Sequence, residues 1–242
     1  MKTLLTLALF CFLMFFSPLG VNAALLTIDK SGDVVWNVLS QETQITLDIP
    51  NQSDIEVKRV GGEVSQENQI VSLTKENDKI SLIVSSGNQT RELNVSGLEK
   101  ELVEVEERPQ VQRIIVGAKD NMFSLENEGV IALTNFPIQI DAKNANFTIT
   151  TSRGNTFLSI FPYDAANLAL RTKLLSKVSK NNLEIIEGDG ELQYKVSGDK
   201  VFKFFNLFEY SIPVTVFVSA STGEILSIDS PTLFKYLGLL FV

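Results

Sequence analysis

The sequence holds no histidine and a single cysteine, Cys11. Without imidazole there is no Ser-His-Asp or Cys-His relay and no histidine-ligated zinc, since each depends on a ring nitrogen. Cys11 sits inside an apolar N-terminal run, so a chain processed after Ala23 also has no thiolate for a disulfide or for nucleophilic attack. Leu9 and Phe10, not small residues, stand just ahead of Cys11, and lipid attachment there is not expected. Clusters of Lys and Arg are missing too, which excludes nucleic acid as a partner, because phosphate binding needs concentrated positive charge. Gly61-Gly62-Glu63 has neither the Walker spacing nor the following Lys-Ser/Thr of a phosphate loop.

What is present begins with an address. Lys2 precedes an apolar core, Leu4 to Phe16, then Ser17-Pro18-Leu19-Gly20 and the small-residue site Val21-Asn22-Ala23. This is the pattern of a secretory signal peptide, residues 1–23, cleaved after Ala23. The apolar core falls short of the roughly 20 residues that span a bilayer, and an uncleaved membrane anchor is the alternative if the run is extended to Val21. The expected location is therefore secreted or at the exterior of the cell envelope. Of the charges, 21 Lys and Arg stand against 29 Asp and Glu, and loss of Lys2 leaves 20 against 29, a net of −9. That balance suits solubility outside the cell. With no disulfide available, the fold must rest on a hydrophobic core, for which residues 24–242 are long enough.

The pattern along the chain predicts an α+β fold, mainly antiparallel β. Residues 24–112 form an expected β-rich N-terminal region of short alternating runs broken by Lys30-Ser31-Gly32-Asp33, Pro50-Asn51-Gln52-Ser53 and Ser86-Gly87-Asn88. Between Leu98 and Arg113 the Glu-rich stretch with Pro109 reads either as a charged linker or as an edge strand with its glutamates outward, and in both cases as a domain boundary. Residues 113–242 form an expected α+β domain with one helix packed on an antiparallel sheet. In it, Phe147 to Ile160 reads as a hairpin turning at Ser152-Arg153-Gly154-Asn155. Helical spacing of Ala165, Leu168, Leu175 and Val178 predicts the helix near 164–179, with Asp164 as N-cap and Lys177 and Lys180 toward its negative end. The aromatic cluster Phe202, Phe204, Phe205 and Phe208 is expected to supply core.

Carboxylates are the catalytic groups left to such a chain. Asp189 with Glu191 and Glu184 with Glu187 are the tightest groups, but neighbours in a Gly-Asp-Gly-Glu turn point to solvent, whereas a glycosidase sets two carboxylates across a cleft. Convergence of distant acids, such as Glu126 and Asp141, would be required instead. Asp29 and Asp33, and the stretch Asp189 to Asp199, offer oxygens without the alternation of a calcium loop. Ser176-Lys177 and Ser179-Lys180 are adjacent pairs on the expected helix and point in different directions, so helix-end charge accounts for them better than a Ser-Lys dyad. Asn51, Asn88, Asn94 and Asn146 head Asn-x-Ser/Thr triplets that would carry glycans only in a eukaryotic secretory pathway. No catalytic, metal or cofactor residue is assigned. The apolar end, Pro231 to Val242 with its single Lys235, is too short to span a membrane and reads either as a segment docked on the core or as an exposed anchor for a partner or a bilayer.

The run "IPVTVFVSASTGEILSID", Ile212 to Asp229, resembles the terminal hairpin of PepSY-type domains, in which a long strand passes through a Thr-Gly-Glu turn into a second strand. Gly223 takes the turn position that needs a positive φ, and Glu224 begins the return. The resemblance implies a small non-catalytic module that binds or restrains a partner. The function expected from the sequence is a secreted binding or structural protein that engages another extracellular protein or peptide, by strand addition or through the apolar C-terminus. Membrane contact is limited to the signal segment or that C-terminus. The alternative is a carboxylate-dependent hydrolase acting on envelope polymers.

Overall fold

Alternation of apolar and polar residues, with turn residues between the runs, makes almost every described segment a strand. The computed structural model describes residues 24–37, 68–98, 101–109, 111–179, 183–204 and 208–231. Residues 1–23, the expected signal segment with Cys11, the turn expected at 50–53, Gly61 to Glu63 and the chain after Pro231 lie outside them. In chain order come β1 (Leu26–Ile28), β2 (Val34–Trp36), β3 (Gln69–Glu76), β4 (Lys79–Ser86), β5 (Gln89–Asn94) and β6 (Glu101–Val105). There follow β7 (Ile114–Lys119), β8 (Met122–Asn127), β9 (Val130–Thr134), β10 (Ile138–Asp141), β11 (Asn146–Thr151) and β12 (Gly154–Leu158). The helix α1 (Pro162–Arg171) precedes β13 (Lys177–Val178), β14 (Leu183–Gly188), β15 (Glu191–Phe204), β16 (Phe208–Ser219) and β17 (Ile225–Asp229).

These strands form two sheets. The larger has the order β17-β16-β15-β14-β9-β8-β7-β6-β1-β2 with β13 added on β15, and the smaller has the order β12-β11-β10-β3-β4-β5. The two apolar faces meet in one core cluster, to which Val71, Leu73, Ile138 and Phe147 of the smaller sheet and Ile28, Val103, Phe123 and Tyr194 of the larger all contribute.

The expected α+β architecture is therefore corrected. Strands hold 62 % of the described residues and the single helix 6 %, so the fold is β-rich with two sheets, not a β region followed by an α+β unit. Each sheet mixes strands from both sides of residue 112: β3 pairs with β10 in the smaller, and β6 with β7 in the larger. The physical reason is that a period of two identifies a strand and its buried face but carries no information about which strand lies beside it. The stretch read as linker or edge strand is neither. β6 runs between β7 and β1, the latter parallel to it, and Leu102, Val103 and Val105 are buried while Glu101 and Glu104 keep the outward face.

The helix is also shorter than its spacing predicts. It starts one residue after an extended Phe161, with Pro162 at the first helical position, where a fixed φ and a missing N–H suit it; Asp164 lies in the first turn and is not the N-cap. It stops where Thr172 donates its Oγ1 to the Leu168 carbonyl at 2.8 Å and Lys173 turns to φ 59°. Leu175 then reaches the core from a loop, and Val178 lies in a strand, so both satisfied the helical spacing without being helical. Ala165, Ala166 and Ala169 are buried, and these small side chains let α1 lie close on β8, β9, β13 and β15.

Tyr194 fixes the entry to that helix. Wholly buried on β15, it donates its hydroxyl to the Ile160 carbonyl at 2.7 Å. Burial, and second the Asp164 carboxylate, push its phenol well above the ordinary tyrosine range. The unfolded chain therefore releases this proton near pH 10 while the native chain retains it, and stability is lost as pH rises past that point. Tyr194→Phe should cost about 1–3 kcal/mol at pH 7, by leaving the Ile160 carbonyl without its donor. It should also flatten the fall in melting temperature between pH 9 and 11, and an unchanged slope there would contradict this role.

Candidate functional site

Turns at one end of the sandwich are drawn together by a single cation. Asp29 closes the β1–β2 turn on itself, its Oδ1 accepting the amides of Ser31 at 2.8 Å and Asp33 at 2.9 Å. Gly32 in that turn has φ +93°, and a Cβ there would lie 2.8 Å from Lys143 Cα. Arg108, on the loop after β6, donates to the carbonyls of Asp29 at 2.8 Å, Ala142 at 3.0 Å and Lys143 at 2.9 Å. Three loops distant in sequence are thus held by one guanidinium, whose planar fork suits several acceptors at once. Its Nε is buried without a partner.

Beside this clamp opens a cleft of about 940 Å³, walled by the loop carrying Arg108, the β10–β11 turn, the end of β12 and the start of α1. Glu107 and Asp164 both line it. That they line one cleft was not legible in the sequence, since one belongs to a loop and the other to the first turn of α1. A smaller cleft of about 330 Å³ lies on the outer face of the smaller sheet, and Asn146 and Phe157 line both.

The Ser-Thr-Gly turn is a joint between the sheets. Ser219, fully buried at the end of β16, donates its hydroxyl to Glu191, while its Oγ accepts the amide of Thr222 at 3.1 Å. Gly223, at φ 75°, returns its N–H to the Ser219 carbonyl at 3.0 Å. Next to it the Ala220 carbonyl accepts the amides of Ser159 at 3.1 Å and Ile160 at 3.0 Å, which ties the end of β12 to the β16–β17 hairpin.

The acidic residues singled out from the sequence are mostly engaged one by one. Glu184 pairs with Lys195 across strands at 2.9 Å, and Glu187 accepts the Ser152 hydroxyl at 2.8 Å with Arg153 Nε at 3.6 Å. Asp189 occupies the β14–β15 turn at φ 48°, and Glu191 holds Ser219. Asp199 lies in the β15 ladder opposite Lys177 and Pro213. Glu126 and Asp141 belong to different sheets and share neither cleft; Asp141 closes its own turn on the amides of Lys143 and Asn144. Glu126 belongs instead to an outward group with Glu101, Glu104 and Arg113. Burial, then the Glu126 charge, raises the Glu101 carboxyl, and the bond that Arg113 Nε donates to Glu104 at 2.6 Å holds Arg113 more firmly protonated. Ser176 Oγ accepts the Val201 amide, and Ser179 lies on the loop after β13; Lys180 lies outside the described residues. Asn88, Asn94 and Asn146 are exposed, and Asn51 is outside the described residues.

Of the expected aromatic core cluster, Phe202 packs at the margin of the core while neighbouring Tyr210 is 56 % exposed; the side chains of Phe204, Phe205 and Phe208 lie outside the description. The strand from Val214 to Val218 is not a sheet edge, because β15 and β17 flank it. The edge is β17. Ile228 stands opposite Val216, on the face that carries the core, yet Ile228 is 43 % exposed and Leu226 39 %. Among the described residues no helix is long and apolar enough to cross a membrane. Comparison of the chain with protein-family models, with curated proteins and with solved structures gives no match.

Proposed function

We propose that this chain is an exported, non-catalytic binding protein that takes hold of another protein or peptide at or outside the cell envelope, by adding a strand at β17. The observation that carries this reading is that β17, the terminal strand of the larger sheet among the described residues, leaves two large apolar side chains exposed, Leu226 and, on the face that carries the core, Ile228. A peptide laid along that edge would complete the backbone ladder and bury both side chains, the mode of recognition in which main-chain bonds supply affinity and alternate side chains supply selectivity. The export signal at 1–23 and the resemblance of Ile212 to Asp229 to a PepSY hairpin support the same reading.

The test is affinity capture from the producing organism's secreted and envelope fraction with the 24–242 chain, beside a variant carrying Leu226→Lys and Ile228→Lys. Both positions are exposed, and lysine is the residue with which natural sheets blunt an edge, so the variant should fold. One dominant partner is expected, with capture about tenfold lower or absent for the variant, in line with loss of a central apolar anchor. Equal capture by both chains, or no partner with either, would sink strand addition. The competing reading, a carboxylate-dependent hydrolase, is favoured by one observation, that Glu107 and Asp164 line the same larger cleft. Cleavage of envelope polymers that stops in Glu107→Gln would establish it instead.

A further inference from the structure

On the smaller sheet, the outward row through Phe157 runs over Thr148 and Gln139 to Ser72, each the ladder partner of the last. Phe157 is 65 % exposed, more than any other large apolar side chain described. Among the described residues it stands on the terminal strand of its sheet, between the two clefts, and it and Asn146 line both. Around the ring, the side chains of Gln139, Asn146 and Thr148 make no hydrogen bond to any other described residue. Asn155 accepts one, from Thr150 Oγ1 at 2.9 Å, and keeps its two amide donors. An exposed aromatic ring flanked along one cleft by unspent amides and a hydroxyl is not what solubility alone requires. Few convergent polar groups beside an apolar surface, on a concave ground of this size, is the general composition of a small-molecule site.

The charges narrow the ligand. Glu107 and Asp164 line the larger cleft and Asp141 the smaller, and the one cation among the linings, Arg108, has both its terminal nitrogens on backbone carbonyls. An anionic ligand would meet carboxylates with no available cation. A ligand with a flat C–H face for the ring and a rim of neutral donors and acceptors for the amides meets no such penalty. We infer that Phe157, with Asn146, Gln139, Thr148 and Asn155 around it, is the platform of a binding site for an uncharged oligosaccharide that passes from one cleft to the other across the ring. This site goes beyond strand addition at β17 and uses different side chains, so either can fail without the other.

Calorimetric titration of the 24–242 chain with cellohexaose, maltohexaose, mannohexaose, chitohexaose and, as the anionic control, a hexameric polygalacturonate tests it. At least one neutral hexasaccharide should bind, and the polygalacturonate should not. Phe157→Ala should weaken binding about tenfold or more, the scale on which a central aromatic anchor acts, whereas Phe157→Tyr, which keeps the ring, should bind like wild type. The Leu226→Lys, Ile228→Lys chain should retain full binding. Phe157 is exposed, so unchanged melting temperatures will separate loss of contact from loss of fold. Failure of all four neutral sugars to bind, binding that Phe157→Ala leaves intact, or preference for the polygalacturonate would each overturn the site.

Discussion

Cut between Gln112 and Arg113, the chain should give two pieces of which neither folds alone. Residues 24–112 would keep the β3–β4–β5 hairpins and β1, β2 and β6, but β3 would lose β10 and β6 would lose β7. The apolar faces of Leu26, Ile28, Val71, Leu73, Leu82, Val103 and Val105, all buried to 0 % in the whole chain, would lose the partners supplied by residues beyond 112. At about 1.5–3 kcal/mol for each fully buried side chain, seven such losses exceed about 10 kcal/mol, which is the whole net stability of an ordinary domain. Circular dichroism of each piece should show no cooperative melt, and mixing the two should restore one. The intact 24–242 chain should melt in a single transition. A cooperative melt of residues 113–242 alone would contradict the shared core.

The second large effect is expected at Gly32. A side chain there suffers twice: φ +93° costs a non-glycine residue about 1–2 kcal/mol, and a Cβ 2.8 Å from the backbone of Lys143 forces the two turns apart, at about 1–3 kcal/mol. Because Arg108 ties the Asp29, Ala142 and Lys143 carbonyls together at the same point, the turns have little room to separate. Gly32→Ala should therefore lower stability by about 3 kcal/mol and the melting temperature by about 10 °C in a chain of this size. Gly32→Asn divides the causes, since asparagine tolerates the left-handed region better but carries the same Cβ. If contact with Lys143 dominates, the two variants will fall equally. A Gly32→Ala chain as stable as wild type would show that the two turns do not bear on each other.

Local punctuation was legible in the sequence, and long-range pairing was not. Ser86-Gly87-Asn88, Ser152-Arg153-Gly154 and Thr222-Gly223 each mark a turn that the structure contains, because glycine with small polar neighbours is what a reversing backbone needs. The joining of β3 to β10, and the parallel contacts of β1 with β6 and β9 with β14, leave no such mark. Helical spacing misled over Leu175 and Val178 because two buried residues three apart fit both a helix and a loop running into a strand. The sites divide in the same way. That Ile212 to Asp229 forms a hairpin follows from its residues, but that β17 ends the sheet depends on what else pairs with it. Phe157 announces a strand, and its exposure follows only from the position of β12 at the margin of the smaller sheet.

The most direct measurement places a photo-reactive side chain at position 226 of the full-length chain in the producing cell, with a second chain carrying it at position 35. Val35 is 46 % exposed on β2, the other terminal strand of the same sheet among the described residues, and serves as the matched control. Strand addition at β17 requires a discrete cross-linked species from position 226 and none from position 35. Adducts from both positions alike, or from neither, would contradict it.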